Sequence, residues 1–273
     1  MLLLRRRSWS VRLIVAVVLI GGLVPTTAKA DGEPAEDFLK RLRAARYFDF
    51  AITYLDRLDK YPGVAPDLMS SIPLEKAQTY IDAAVAALSG SDREAYLDQA
   101  ETSLSTFLKV ANHPRASEAQ LQLGKLQLFR GNQALLGEAD AEKRQQAREH
   151  YLNSSKTFDA IIDDLKKKLA EMQGQKIDAE KEPEKADLRD TYRYEYVQAQ
   201  VSAGETRVLA AKTFEDPPKQ AKEILEDALK RFTDIADKYA NYPQGAQATL
   251  FLGQIQELLG DKAKAIQHYK DMV

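Results

Sequence analysis

A block of fourteen residues occurs twice in this chain, at positions 111–124 and 240–253. Both copies follow the pattern Ala-Asn-x-Pro and then Ala-x-Leu-x-Leu-Gly, and in both the proline precedes the glycine by ten residues. Self-similarity at a fixed spacing is the main sequence signature of repeat proteins, in which each unit buries its apolar face against its neighbours. The block therefore predicts that the chain is built from stacked structural repeats.

The second copy opens a helical hairpin. Apolar residues recur there at intervals of three and four, the spacing of one buried helix face, at Ala248, Leu252, Ile255 and Leu259. Gly260-Asp261 interrupts the pattern, and a second periodic run follows at Ala265, Ile266, Tyr269 and Met272. Two short helices joined by a tight turn bury only part of their apolar surface, so further hairpins must pack against them.

Residues 243–273 resemble a tetratricopeptide repeat. Leu252-Gly253 fits the Leu-Gly pair on the first helix of that family, and Gly260 fits its turn. Ala265 and Tyr269 fit the small and aromatic positions on its second helix. The resemblance implies an all-α fold, a right-handed α-solenoid of about five helical hairpins over residues 31–273.

Helical periodicity divides the preceding chain into four further helix pairs, which cover residues 36–61, 74–108, 119–172 and 186–239. In the fourth pair, Ala228 and Phe232 lie 37 residues before Ala265 and Tyr269 and are predicted to occupy the same positions. This alignment supports a regular repeat at the end of the chain.

The third pair is elongated. Gly124 is followed after 23 residues by Ala147 and then by Tyr151, whereas 12 residues separate Gly253 from Ala265. The difference corresponds to about three extra helical turns. Matching Gly124 with Ala147 and Tyr151 therefore predicts a protruding antiparallel hairpin, which is also a possible surface for self-association.

Residues 1–30 have the features of a signal peptide. Four arginines among residues 5–12 precede an apolar run of 12 residues, and Ala28-Lys29-Ala30 matches an A-x-A cleavage site. The alternative is an uncleaved anchor, but a membrane-spanning helix requires about 20 apolar residues. We expect cleavage after Ala30, no membrane span afterwards, and a periplasmic or envelope location.

The charge of the chain disfavours nucleic acid as a partner. Cleavage would remove five basic and no acidic residues from a total of 39 basic and 41 acidic, which leaves 34 against 41 and a net charge of −7. Nucleic-acid binding depends on positive charge that neutralises phosphates. We therefore expect protein partners.

No catalytic or metal-binding motif is present in the sequence. Cysteine is absent, which excludes disulfides and thiolate chemistry. His113, His150 and His268 have no second ligand at the spacing of a recognised metal site, and no phosphate-binding or nucleophile motif occurs. We expect no enzyme activity, no cofactor and no metal.

Tyr192, Tyr194 and Tyr196 form an aromatic run within the fourth pair. On a helix Tyr192 and Tyr196 share a face and Tyr194 points elsewhere. Packing between helices is one interpretation, and a partner-binding aromatic patch is the other.

The resemblance implies a non-catalytic scaffold or adaptor that binds a partner protein on a concave groove lined by first helices. The tyrosine-proline helix ends are similar to those of the envelope members of the family, which include outer-membrane assembly and Tol-Pal coordinator proteins. Carried over from the Leu-Gly pairs, the groove residues are Glu118, Leu121, Lys125 and Leu128 in the third repeat and Gln247, Leu250, Gln254 and Glu257 in the fifth.

Two alternatives remain at this point. The chain could be the N-terminal region of a larger envelope protein or enzyme whose activity lies beyond residue 273, or a structural component that self-associates. The last predicted helix ends in apolar residues with no polar cap, so we expect the solenoid to continue beyond Val273.

Overall fold

The computed structural model describes residues 34–61, 63–110 and 113–272. The predicted signal peptide and its cleavage site lie outside these residues, and export stays a prediction. Every regular element in the described part of the chain is helical, and no strand occurs there. The all-α prediction is confirmed.

Twelve α-helices and one 3-10 helix occur in the described residues. In chain order they are α1 (Ala35–Ala44), α2 (Phe48–Asp56), the 3-10 helix (Leu58–Lys60), α3 (Pro66–Ser70), α4 (Ile72–Ala86), α5 (Gly90–Phe107), α6 (Ala116–Ala134), α7 (Ala141–Gln173), α8 (Pro183–Lys212), α9 (Pro217–Gln220), α10 (Lys222–Lys238), α11 (Pro243–Leu258) and α12 (Lys262–Lys270). The five predicted pairs are α1–α2, α4–α5, α6–α7, α8–α10 and α11–α12, and the two helices of each pair contact one another.

Local sequence signals set the hairpin turns. The Ser89 side chain caps α5 by accepting a hydrogen bond from the N–H of Asp92 (3.0 Å), and Asp261 caps α12 through the N–H of Lys264 (3.1 Å). Gly260 has a φ of +86°, a left-handed conformation that favours glycine. The turn predicted at Gly260-Asp261 is therefore confirmed.

Each hairpin packs against the next one along the chain. The second helix of each pair contacts the first helix of the following pair, in the contacts α2–α4, α5–α6, α7–α8 and α10–α11. First helices also contact one another in the order α4, α6, α8, α11. Within the described ranges, no two second helices contact one another to a comparable extent. From the second hairpin onward, each first helix therefore contacts neighbouring first helices as well as the second helix of its own pair.

A glycine on the first helix faces an aromatic ring on the second helix in the last two hairpins. Gly204 faces Phe232 and Gly253 faces Tyr269, and a Cβ atom on either glycine would lie 2.6 or 2.3 Å from the nearest ring carbon. A larger residue would have to displace the ring, so glycine permits the close approach of the two helices. Phe232 and Tyr269 occupy equivalent positions, as predicted.

The third hairpin contains two such glycine–aromatic contacts, each of which we call a layer. Gly124 faces Phe158 and Gly131 faces Tyr151, so the glycines are seven residues apart and the rings are seven residues apart. Seven residues make about two helical turns, which places both layers on the same face of each helix. The sequence interpretation that matched Gly124 with Ala147 and Tyr151 is wrong in register, because Tyr151 belongs to the second layer.

The extra length of α7 does not protrude. Near its start, Arg148 donates a hydrogen bond to the Thr213 hydroxyl at the end of α8 (2.9 Å). Near its end, Lys168 donates to the Ser117 hydroxyl at the start of α6 (3.2 Å). The protruding hairpin expected from the sequence is therefore wrong, because α8, with 30 residues against the 33 of α7, covers the additional turns.

Candidate functional site

A groove of about 660 Å³ lies between the first helices of the second, third and fourth hairpins. One stripe from each of α4, α6 and α8 lines it, since residues three and four apart share a helix face. The lining residues are Gln78, Ile81 and Val85 of α4, Leu97 of α5, Glu118, Leu121, Gln122, Lys125, Leu126 and Phe129 of α6, and Thr191, Tyr194 and Glu195 of α8.

Apolar side chains form the base and both outer walls of the groove. Leu97 and Leu126 are buried, whereas Val85 on α4 and Tyr194 on α8 are 66% and 63% exposed. Exposed apolar side chains that border one concave surface are typical of an interaction site, because a bound partner removes them from water. The geometry favours a ligand with apolar groups.

A chain of ion pairs fixes one end of the groove. Arg43 of α1 donates to Glu75 Oε2 of α4 (2.9 Å), and Arg115 donates to the other oxygen of that carboxylate (2.8 Å). Arg115 also binds both oxygens of Glu118, at 2.7 and 2.8 Å. Bidentate guanidinium–carboxylate pairs have a defined geometry. This series of ion pairs therefore orients the starts of α4 and α6 and holds the Glu118 carboxylate in place.

Two buried acceptors in the groove have no hydrogen-bond partner within the described residues. They are Glu195 Oε2 on α8 and Gln122 Oε1 on α6. Burial and, secondarily, the charge of Glu118 raise the pKa of Glu195 to about 7, and Lys168 opposes this shift. A buried acceptor without a donor costs stability. Both atoms therefore lack the hydrogen-bond donor that buried acceptors usually have.

Three of the four residues predicted in the third repeat line this groove. They are Glu118, Leu121 and Lys125, all on α6. Leu121 is only 8% exposed and also belongs to the core cluster that contains Phe158. Leu128 instead packs against the cluster around Tyr151, because its position on the helix turns it from the groove towards α7. Leu128 thus lies outside the lining of this groove, and its role in partner binding stays a prediction.

The four residues predicted in the fifth repeat lie on α11, outside the lining of this groove: Gln247, Leu250, Gln254 and Glu257. Gln254 accepts a hydrogen bond from Lys212 of α8 (2.8 Å), and Glu257 accepts one from the Tyr269 hydroxyl (3.2 Å). Gln247 and Leu250 are exposed. The structure therefore does not bring the two predicted sets of four residues together in one cavity.

The two interpretations of the tyrosine run apply to different members of it. Tyr192 and Tyr196 pack against the core cluster between α6, α7 and α8, and Lys168 lies 5.2 Å from the centroid of the Tyr192 ring. Tyr194 lines the groove. Helix periodicity separates the faces correctly, and the structure shows which face is open.

Sequence reasoning missed the contributions of α4 and α8 to the groove. Ile81 and Val85 belong to the apolar run of α4, which was predicted only as one helix of the second pair. Val85 is largely exposed, as is Leu88 just beyond the helix. The available signal was the width of the apolar stripe on α4, which is greater than one packing partner can cover. Glu195 carried no sequence signal.

Two of the three histidines, His113 and His150, form side-chain hydrogen bonds with residues distant in sequence. His113 Nε2 lies 3.0 Å from the Ser70 hydroxyl, and His150 Nδ1 lies 3.0 Å from the Gln127 side-chain oxygen. Burial lowers the pKa of His150. Within the described ranges no group of three or more potential ligands is arranged to hold a metal ion, and no helix has the length and apolar character required to cross a bilayer.

Comparison with known proteins adds no relative to this picture. No family model matches the chain, and no curated protein matches it significantly. The interpretation of the groove therefore rests on its own geometry and on the sequence pattern of the hairpins.

Proposed function

We propose that this protein is a non-catalytic scaffold or adaptor that binds a segment of a partner protein in the groove between α4, α6 and α8. The observation that carries the proposal is the exposure of Val85 and Tyr194 on the two outer walls of one concave surface. Apolar burial contributes roughly 25 cal/mol per Å² removed from water. A partner segment whose apolar side chains cover both residues would therefore be held mainly by the hydrophobic effect.

The size and composition of the groove support a segment of polypeptide as the ligand. A volume of about 660 Å³ has room for several side chains. Apolar groups line the middle, and polar groups such as Gln78, Gln122 and Glu195 border it. This distribution suits a chain that places apolar side chains into the groove and its backbone or polar groups at the rim.

We further propose that residues 35–273 form a right-handed α-solenoid of the tetratricopeptide type, with the first helices on the concave side. Consecutive packing of the hairpins, the ordered contacts of α4, α6, α8 and α11, and the glycine–aromatic layers of the last three hairpins support this proposal. In such a solenoid the concave surface is the expected binding surface.

We propose that the protein acts in the cell envelope after export. The support is confined to the sequence, namely the arginine-rich start, the short apolar run and the Ala28-Lys29-Ala30 site. Determination of the N-terminal residue of the protein isolated from cells tests this directly. A chain that begins at Asp31 would agree with export, and an intact Met1 on the isolated protein would contradict it.

Site-specific photocrosslinking in cells tests partner binding. A photoreactive phenylalanine analogue replaces Tyr194 in the groove or, as the control, Tyr242, which is similarly exposed at 61% but lies outside the groove. We expect a protein adduct at position 194 only. A second substitution, Val85→Arg, should abolish it, whereas Val110→Arg at another exposed valine should not. Equal adducts at both positions, or none at 194, would contradict the proposal.

A further inference from the structure

We propose that the groove selects partner segments that carry a lysine or arginine side chain flanked by apolar residues. This inference rests on the proposed function of the groove as a protein-binding site. The cationic side chain donates a hydrogen bond to Glu195 Oε2, and a second N–H group of the segment donates to Gln122 Oε1. The flanking apolar residues cover Val85 and Tyr194.

The acceptors that would receive these donors are already in place. Glu195 Oε2 and Gln122 Oε1 are both buried and both lack a donor in the described part of the protein. They lie on α8 and α6, two adjacent helices that line the groove. A hydrogen bond to a charged group is stronger than one between neutral groups. A cationic donor therefore forms its strongest hydrogen bond in the groove with Glu195.

The neighbouring side chains of the protein do not supply this donor. Lys168, which lies close enough to influence Glu195, binds the Asp164 carboxylate (2.7 Å) and the Ser117 hydroxyl. Arg115 is engaged by Glu75 and Glu118. Glu195 Oε2 therefore has no donor within the described part of the protein.

The charges favour a cationic ligand over an anionic one at this end of the groove. Glu118 and Glu195 both line it, and they are close enough for the charge of Glu118 to act on Glu195. A ligand carboxylate here would face two acidic side chains. Lys125, the cationic residue of the lining, is exposed and lies seven residues beyond Glu118, which is about 10 Å along the helix.

Selection from a phage-displayed library of random 12-residue peptides finds the preferred ligand even when the partner has not been identified. The purified protein is the bait, and peptides that also bind the Val85→Arg variant are removed. We expect the remaining peptides to share a lysine or arginine between apolar residues. Their affinity for the protein is then measured by fluorescence anisotropy.

The decisive variant is Glu195→Gln, which keeps the shape of the side chain and removes its charge. We expect it to weaken binding of a selected peptide about 10- to 100-fold, the range expected for a charge-assisted hydrogen bond. Glu184→Gln, at an exposed glutamate of the same helix, is the matched control and should leave the affinity unchanged. Circular dichroism establishes that both variants are folded.

The pH dependence provides a second readout. A bound cation lowers the pKa of Glu195 from about 7, so binding releases a proton and the affinity should rise between pH 6 and pH 8. The charged groups around it are Glu118, Arg115 and Lys125 on or beside α6 and Lys168 of α7. The rise in peptide affinity between pH 6 and pH 8 should be absent in the Glu195→Gln variant.

The possible outcomes separate this inference from the proposed function. Groove-dependent peptides without a cation, or peptides indifferent to Glu195→Gln, would overturn the inference and leave the binding function intact. If the selection yields no peptide whose binding depends on the groove, both the inference and the proposed binding function are overturned. A homodimer that dissociates on Val85→Arg substitution would assign the groove to a second copy of the chain and overturn the inference.

Discussion

The third and fifth hairpins begin with the same sequence block but have different roles in the structure. In the third, α6 is flanked by α4 and α8 and forms the central wall of the groove. In the fifth, α11 contacts α8, α10 and α12, and its predicted groove residues lie outside that cavity. The block therefore specifies a helix and its glycine contact, while the neighbouring helices determine whether its outer face borders a groove.

The two hairpins also differ in how completely their aromatic residues are buried. Phe158 and Tyr151 in the third hairpin are almost inaccessible to solvent, because α6 and α8 lie on either side of α7. Tyr269 in the fifth is only half-buried, and its hydroxyl reaches Glu257. The same glycine–aromatic contact should therefore contribute much more to stability in the third hairpin than in the fifth.

Truncation of the aromatic ring should give the largest difference between the two hairpins. Phe158→Ala removes a fully buried ring and leaves a cavity, so we expect a loss of about 3–5 kcal/mol in unfolding free energy. Tyr269→Ala should cost about 1 kcal/mol, because its ring is already partly solvated. Urea denaturation followed by circular dichroism measures both. Equal losses would show that burial does not distinguish the two layers.

Substitution of the glycine that faces each ring should give a smaller difference. Gly124→Ala brings a Cβ atom to 2.7 Å from a Phe158 ring that has no free space around it, so we expect about 1–3 kcal/mol of destabilisation. At Gly253 the Tyr269 ring can move outward, and the higher helix propensity of alanine offsets the strain. Gly253→Ala should therefore change the unfolding free energy by less than about 1 kcal/mol. Comparable destabilisation of both variants in urea would contradict this.

The smallest expected effect concerns two acidic side chains: Glu195 of α8, which borders the groove beside the third hairpin, and Glu257 of the fifth hairpin. The folded-state pKa of Glu195, raised to about 7, lies above its ordinary value of 4.5, so ionisation destabilises the fold as pH rises through this interval. Glu195→Gln should raise stability at pH 8 by about 1 kcal/mol, a figure reduced for solvent screening, and by less at pH 5.

The control for this prediction is Glu257→Gln in the fifth hairpin. Glutamine can still accept the hydrogen bond from Tyr269, and Glu257 is exposed, so its replacement should alter the melting temperature little at either pH. Thermal melts of both variants at pH 5 and pH 8 provide the measurement. A stabilisation by Glu195→Gln that is the same at both pH values would show that removal of a buried charge is not its cause.

Much of the fold could be predicted because its signals are local. The spacing of apolar residues specified the five helix pairs, Gly260-Asp261 specified the last turn, and the 37-residue offset placed Phe232 and Tyr269 in equivalent positions. These features depend on residues within a few turns of one another, and helix periodicity reports them directly. Only part of the groove was found in this way, namely Glu118, Leu121 and Lys125 of α6.

The helical class, the order of the hairpins and the apolar face of each helix follow from the order of the amino acids alone. Only the packed helices establish that Gly124 pairs with Phe158, that α8 covers the extra length of α7, and that α4 and α8 complete the groove. The physical reason is that two glycines seven residues apart lie on the same helix face, so periodicity cannot distinguish their partners. Likewise, the burial that raises the pKa of Glu195 is produced by helices distant in sequence.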